Sequence, residues 1–290
     1  MRELIREAAF FEISEYLERT ARLVLDSSSR ILLSSSPTLE GSLSVAPLEG
    51  ALIDSGIPYR RRFTNEIPNS GTFVRVSDTL LSNYEQPSVS FGGTTLSPIV
   101  VEGLKGHQGD SRKGPLSPVA QSHAIAQIIC PSSKRLRIMR PWALSGNWIN
   151  RALDTSYDPV LSSIRDFLVS EGSIRVVPVT EVPDPEPKNY PWLDMDVLLI
   201  ARESWPEMGL DERSEVMSAL AIPSVLPNIP STPRLEGLLW QCILGIGWDS
   251  DLASQISRAQ IYWDELDPRD ASNLVTDSIL STGRITSLKS

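Results

Sequence analysis

The sequence predicts an α/β protein in which helices flank a mostly parallel sheet. Three observations predict this fold. Short segments with strand character recur at residues 31–33, 57–63 and 71–78, and the first of these runs is wholly apolar, as a buried strand requires. The first two runs are separated by a helical pattern, and strand, helix, strand is the repeating unit of parallel sheets. The third run ends at Asp78, and ligand sites of such sheets form where strands end.

The order of elements follows from periodicity and from residues that end helices. Apolar residues at helical spacing predict a helix over residues 3–25, which serines at 27–29 end. A helix over Leu43–Ser55 follows the first strand, and Gly56 occupies its C-cap position. Beyond residue 80 we expect the following order: a glycine turn opening a helix at 92–106, a buried element at 118–130, a strand at 135–140, a helical region at 143–171, strands at 173–179 and 195–201, a helix at 211–221 and a largely helical tail at 234–282.

Two proline-rich connections, at residues 178–191 and 223–233, predict a division into two domains. Residues 1–170 would form the α/β domain, and residues 171–290 a smaller α/β or helical domain. The first part carries 18 Lys and Arg against 17 Asp and Glu, whereas the second carries 9 against 19. An acidic half disfavours nucleic-acid binding there, and suits either a basic partner or solubility alone.

The composition excludes several classes of protein. Two cysteines 112 positions apart and two histidines cannot supply a structural zinc site, and two thiols make a disulfide framework improbable in a chain of 290 residues. No run of 18 apolar residues is present, and the N-terminus lacks the pattern of a signal peptide. We therefore expect a cytoplasmic protein that does not bind membranes.

One segment, residues 30–63 (RILLSSSPTLEGSLSVAPLEGALIDSGIPYRRRF), carries most of the functional information. It resembles the first motif of the DHH phosphoesterase superfamily, to which the RecJ nucleases belong. In that family a hydrophobic strand runs into His-x-Asp-x-Asp-Gly, a small-residue helix, Gly-Ile-Pro and a second strand. Here the strand is Ile31–Leu33, the glycine is Gly41, and Gly56-Ile57-Pro58 precedes the next strand.

The residues at the positions of the family's metal ligands differ from those of the family. Ser36 lies where the family has its histidine, Thr38 where it has the first aspartate, and Glu40 where it has the second. Asp78 matches the aspartate of the family's second motif. In the family these side chains hold two divalent metal ions, and neutral hydroxyls cannot offset that charge. The resemblance therefore implies a protein with no catalytic residues, no metal and no cofactor.

The two histidines do not restore a site. The Asp-His-His signature is absent after Asp78. His107 lies in a glycine-rich charged loop, and His123 adjoins an apolar run, where a hydrogen-bonded core residue is expected. Neither has a further ligand at a suitable spacing. No Gly-x-Ser-x-Gly elbow is present, which disfavours a serine hydrolase.

Basic residues and a glycine pair are candidates for contacts with nucleic acid or a partner. Because neighbouring strand residues face opposite sides, the run at 60–62 cannot form one patch. Gly92-Gly93-Thr94-Thr95 resembles a weak anion cradle, for which a helix N-cap is the simpler interpretation. Trp240, Trp248 and Trp263 are assigned to packing. The basic candidates are Arg60, Arg62, Arg112, Lys113, Arg135 and Arg137.

The resemblance implies a function in binding. Degenerate members of the superfamily serve as the replisome subunit that joins GINS and the MCM motor in the replicative (CMG) helicase, and the archaeal forms are compact. We therefore expect an archaeal replication subunit that binds GINS and MCM and guides single-stranded DNA. Two alternatives stay open: a RecJ-like exonuclease whose ligands come from Glu40, Asp54, Asp78, His107 or His123, and an unrelated α/β interaction module.

Overall fold

The computed structural model describes residues 1–81, 87–90, 92–105, 111–221 and 230–285. The strands are β1 (Ile31–Ser35), β2 (Tyr59–Phe63), β3 (Phe73–Val76), β4 (Val89–Ser90), β5 (Gly93–Leu96), β6 (Ile99–Lys105), β7 (Ser111–Leu116), β8 (Ile174–Val177) and β9 (Cys242–Gly245). The helices are α1 (Ser14–Leu25), α2 (Leu39–Ser55), α3 (Pro118–Ile129), α4 (Lys134–Met139), α5 (Ser145–Ile149), α6 (Pro159–Glu171), α7 (Met195–Ser204), α8 (Leu210–Ala221), α9 (Thr232–Leu239), α10 (Leu252–Glu265) and α11 (Pro268–Thr282).

A five-stranded sheet in the order β2-β1-β3-β5-β4 forms the centre of the first part of the chain. Strands β2, β1, β3 and β5 are parallel, and the short β4 pairs antiparallel with β5. Ile31 and Leu33 of β1 are fully buried, as expected for a strand covered on both faces. The predicted fold class, a mostly parallel sheet flanked by helices, is confirmed.

Helix α2 is buried over its whole middle, from Gly41 to Leu52. It packs against α3, α4, α11 and strand β1, so no face of this stretch is left for water. Gly50 permits this crowding, because an added Cβ would lie 2.7 Å from Cε of Met139 in α4. The helix ends as predicted at Gly56, whose φ of 66° is readily adopted only by glycine.

A buried ion pair joins the sheet to two helices. Arg61 of β2 contacts Glu49 of α2 at 2.9 Å and Asp277 of α11 at 2.8 Å. Its Nε also donates to Asn273 of α11, and the hydroxyl of Tyr59 donates to the Glu49 carboxylate. The C-terminal helix is thereby fixed to the first strands. The division at residue 170 stays a prediction.

The predicted helix at residues 92–106 is wrong, because this segment forms strands β5 and β6. Its β-branched residues fall in two short groups, Thr94–Thr95 and Ile99–Val101, and these extend to pair with β3 and β7. Gly93 packs under the ring of Phe73, where an added Cβ would lie 2.2 Å from the ring. The Gly92-Gly93-Thr94-Thr95 segment is thus not a helix N-terminus and provides no anion cradle of that kind.

Two predicted strands are helices. Residues 134–139 form α4, capped by the Ser133 hydroxyl, and its buried residues Leu136 and Met139 are three positions apart. Residues 195–204 form α7, and the buried Leu198 and Ala201 show the same spacing. Three-residue spacing places side chains on one helix face, so packing selects the helix in both segments.

Other predictions are confirmed in outline. Of residues 3–25, positions 4–6 and 8–13 form 3₁₀ turns and only 14–25 form an α-helix. The region 143–171 contains α5, a 3₁₀ turn and α6, the strand near 174–177 is β8, and residues 210–221 form α8. The tail is helical except for β9, which pairs antiparallel with β8. Within the described ranges, no helix combines the length and apolar character needed to cross a bilayer.

Replacing Arg61 by alanine is expected to destabilise the fold by about 3–5 kcal/mol, because Glu49, whose side chain is 7% exposed, would lose its charge partner. The matched control is Arg62→Ala on the same strand. Arg62 contacts Glu66 on the surface, and its loss should cost less than about 1 kcal/mol. Urea unfolding measures both values. Equal free energies of unfolding for the two variants would contradict this account of the ion pair.

Candidate functional site

The candidate site lies where β1, β2 and β3 end. Ser35 pairs with Phe63 of β2 and with Val76 of β3, so the three strands end at one level. Ser36 begins the loop after β1, and Asp78 lies two positions beyond β3. The parallel topology thus brings the degenerate motif and Asp78 to the same edge, as the sequence predicts.

The loop after β1 is fixed by contacts that need no metal. The Thr38 hydroxyl accepts a hydrogen bond from the Gly41 amide at 3.1 Å and caps α2, while the Ser42 hydroxyl donates to the Thr38 carbonyl at 2.9 Å. An added Cβ at Gly41 would lie 2.2 Å from Oγ of Ser35 and 2.6 Å from the carbonyl oxygen of Ser36. The glycine of the motif is therefore required by packing alone.

Glu40 and Asp78 are the two carboxylates at this edge. Glu40 is half-buried in the first turn of α2, and Asp78 is exposed. Burial raises the pKa of Glu40 to about 7, and the charge of Asp78 contributes to the same shift. The two side chains are thus close enough to repel each other. A carboxyl with this pKa is partly protonated at neutral pH, which weakens it as a metal ligand.

The other residues considered as rearranged ligands do not join them. Asp54 lies in the last turn of α2, about 20 Å along the helix from Glu40, where it contacts Ser133 and Arg135. His123 of α3 is 3% exposed, and burial, with the nearby Arg140 charge, lowers its pKa to about 3.

The structure describes one of the two histidines, His123. The prediction that His123 is buried is confirmed, but its Nε2 has no hydrogen-bond partner among the described residues. His107 lies outside the described residues. Across the described ranges, no group of three or more His, Cys, Asp or Glu side chains is arranged to hold a metal ion.

Trp263 of α10 closes one side of the site. Its Nε1 donates to the carbonyl of Pro37 at 3.0 Å, and a cleft of about 440 Å³ opens beside this contact. The sequence predicts only a packing role for Trp263. The contact joins positions 226 residues apart, so no local pattern could have indicated it. The cleft is lined by Pro37, Thr38, Leu39, Gln260, Trp263 and Asp264.

The basic candidates lie on three separate elements. Arg60 and Arg62 are exposed on β2, while Arg61 points inward, so the predicted alternation is confirmed. The guanidinium of Arg135 in α4 forms an ion pair with Asp54 and donates a hydrogen bond to the Leu280 carbonyl, so these contacts within the protein engage its charge. The remaining candidates, exposed on β7 and α4, are Arg112, Lys113 and Arg137.

The fold is similar to that of a solved structure, the crystal structure of CDC45 from Entamoeba histolytica, with a TM-score of 0.53 and 10% sequence identity. The alignment covers 93% of this chain and 68% of the other. No protein-family model and no curated protein matches the chain. At this identity the likeness establishes a shared α/β fold, with a mostly parallel sheet flanked by helices.

The raised pKa of Glu40 predicts a pH-dependent stability. The folded state keeps the Glu40 proton between pH 4.5 and about 7, where the unfolded chain has released it, so stability falls as pH rises through this range. Relative to Glu40→Gln, the wild type should lose on the order of 3 kcal/mol between pH 4.5 and 7.5. Thermal and urea unfolding at several pH values measure the difference.

Asp78→Asn is the control for this experiment. It removes only the smaller contribution to the shift, so part of the pH dependence should remain. Identical pH profiles for the wild type and Glu40→Gln would show that Glu40 titrates normally and would contradict the prediction.

Proposed function

We propose that the chain is a non-catalytic subunit of the archaeal DNA replication machinery, which joins GINS and the MCM helicase in the cytosol. One observation carries the proposal. The β1-α2-β2 frame that resembles the DHH superfamily is intact, and it presents the neutral Ser36 and Thr38 at positions where that family has metal ligands.

Two observations support this class. The motif at residues 30–63 resembles the superfamily from which the RecJ-derived replisome subunit descends. The fold is similar to that of a CDC45 over 93% of the chain. In this proposal residues 1–170 form the degenerate DHH-like domain, and residues 171–290 the smaller acidic domain.

The mechanism would be binding. Thr38 caps a helix, and the site edge carries Glu40, Asp78 and the nearby Asp264, so its charge repels phosphate groups. Single-stranded DNA would therefore be guided away from this edge. The exposed cations on other elements that could contact it are Arg60, Arg62, Arg112, Lys113 and Arg137.

The proposal is tested with purified archaeal GINS and MCM proteins. The tagged chain should retain both on affinity resin and co-elute with them in size-exclusion chromatography. Arg61→Ala, which should loosen α11 from the sheet, serves as a destabilised control, and Arg22→Ala, which removes only a surface ion pair with Glu18 on α1, as a folded one. Retention of neither protein by the folded wild type would overturn the proposal.

A second candidate, a RecJ-like exonuclease, is favoured by one observation: Glu40 and Asp78 lie close together at the strand ends. Paired carboxylates there could contribute to a two-metal site. The first proposal predicts that the protein does not degrade end-labelled single-stranded DNA with Mg²⁺ or Mn²⁺. Degradation that disappears in Asp78→Asn would establish the nuclease instead.

The third interpretation, an unrelated interaction module, would gain support if the first three strands were not adjacent and parallel. Strands β2, β1 and β3 are both adjacent and parallel. The topology therefore gives no support to a chance match of the first motif.

A further inference from the structure

The surface of α7 differs from that of an ordinary solvated helix. Leu198 and Ala201 are buried against the protein, as the inner face requires. On the outer face Val197 is 45%, Leu199 48% and Ile200 65% exposed. Val197 and Ile200, three positions apart, share one side of this outer face, and Leu199 lies on its other side, so three branched aliphatic side chains of a ten-residue helix are exposed.

Acidic side chains border these apolar residues and separate Leu199 from Ile200. Asp196 and Glu203 lie on the same outward face as Ile200, four residues before it and three residues after it. Between residues 194 and 219 every exposed charged side chain is acidic. The others are Asp194, Glu207, Asp211, Glu212 and Glu215.

The two arginines in this stretch make contacts with other parts of the chain. Arg202 donates to the carbonyl of Pro183, and Arg213 donates to the carbonyl of Trp205 and lies over its ring. Neither neutralises the outer face of α7. The surface therefore combines apolar area with a single sign of charge.

We propose that the outer face of α7, with its acidic border, is the docking site for a basic amphipathic helix of a partner protein. The inference rests on the proposed function, because it supplies the surface through which a non-catalytic subunit would bind. Val197, Leu199 and Ile200 would contact apolar residues of the partner helix, and Asp196 and Glu203 would pair with lysine or arginine beside them.

The acidic charge of this surface favours a basic helix over a second copy of the chain, nucleic acid or an anionic lipid surface. A second copy of the chain would bring the same acidic border against itself, and the chain carries a net charge of −9. Nucleic acid and anionic lipid surfaces would meet like charge. A cationic helix with apolar residues at helical spacing satisfies both features of the surface.

The probe is a synthetic, fluorescein-labelled helical peptide of about twenty residues, with leucine on one face and lysine on the other. The same peptide with glutamate in place of lysine is its control. By fluorescence anisotropy the full chain should bind the lysine peptide at least about tenfold more tightly than the glutamate peptide, and added salt should weaken binding.

Two pairs of variants locate the binding. Ile200→Asp should weaken binding of the lysine peptide at least about tenfold, and Leu274→Asp, on the exposed side of α11, should leave it unchanged. Glu203→Lys should reduce the preference for the lysine peptide, whereas Glu265→Lys, in the last turn of α10, should not. Thermal unfolding checks that all four variants are folded.

Equal effects of Ile200→Asp and Leu274→Asp, or equal binding of both peptides, would overturn the proposal. A wild-type dimer that Ile200→Asp dissociates in sedimentation would also overturn it, since a second copy would then cover the surface. GINS and MCM binding that survives Ile200→Asp would remove this docking site and leave the proposed function intact.

Discussion

The burial of α2 on every side is the constraint on which the rest of the structure depends. A helix with no solvent-facing stretch between Gly41 and Leu52 must be covered by several elements at once. The sheet, α3 and α4 cover part of it, and α11 from the other end of the chain covers another part. The Arg61 ion pairs with Glu49 and Asp277 fix that last helix in position. The hydrophobic core is thus completed only when the C-terminal residues have folded onto the first strands.

The same constraint explains how the turn at the candidate site keeps its shape. The turn from β1 into α2 is held by the Thr38 cap and by the close approach that Gly41 allows. Neither contact involves a carboxylate or imidazole, so the conformation of the turn does not depend on a bound metal ion. Packing and a helix cap are sufficient to hold it. Trp263, which contacts the Pro37 carbonyl, adds a cover of protein to this edge.

Much of the fold, and the location of the site, could be predicted from local pattern. The order β1-α2-β2-β3 could be predicted because the strand-like segments and Gly56 mark where these elements begin and end. The predictions failed at α4 and α7, where apolar residues three positions apart lie in segments too short for their period to be distinguished from a strand. They also failed at residues 92–106, where a glycine pair next to Phe73 was interpreted as a helix start. The contacts of Arg61 with Asp277 and of Trp263 with Pro37 join distant positions, and no local pattern encodes them.

The proposal that this edge of the sheet binds no catalytic metal is tested most directly by isothermal titration calorimetry with Mn²⁺ at neutral pH. The wild type should show no saturable binding, because Thr38 is a helix cap and Glu40 is partly protonated. The variant carrying Ser36→His, Thr38→Asp and Glu40→Asp restores the family's ligand types and is the positive control. Micromolar binding of Mn²⁺ by the wild type, abolished in Asp78→Asn, would contradict the proposal that the chain is non-catalytic.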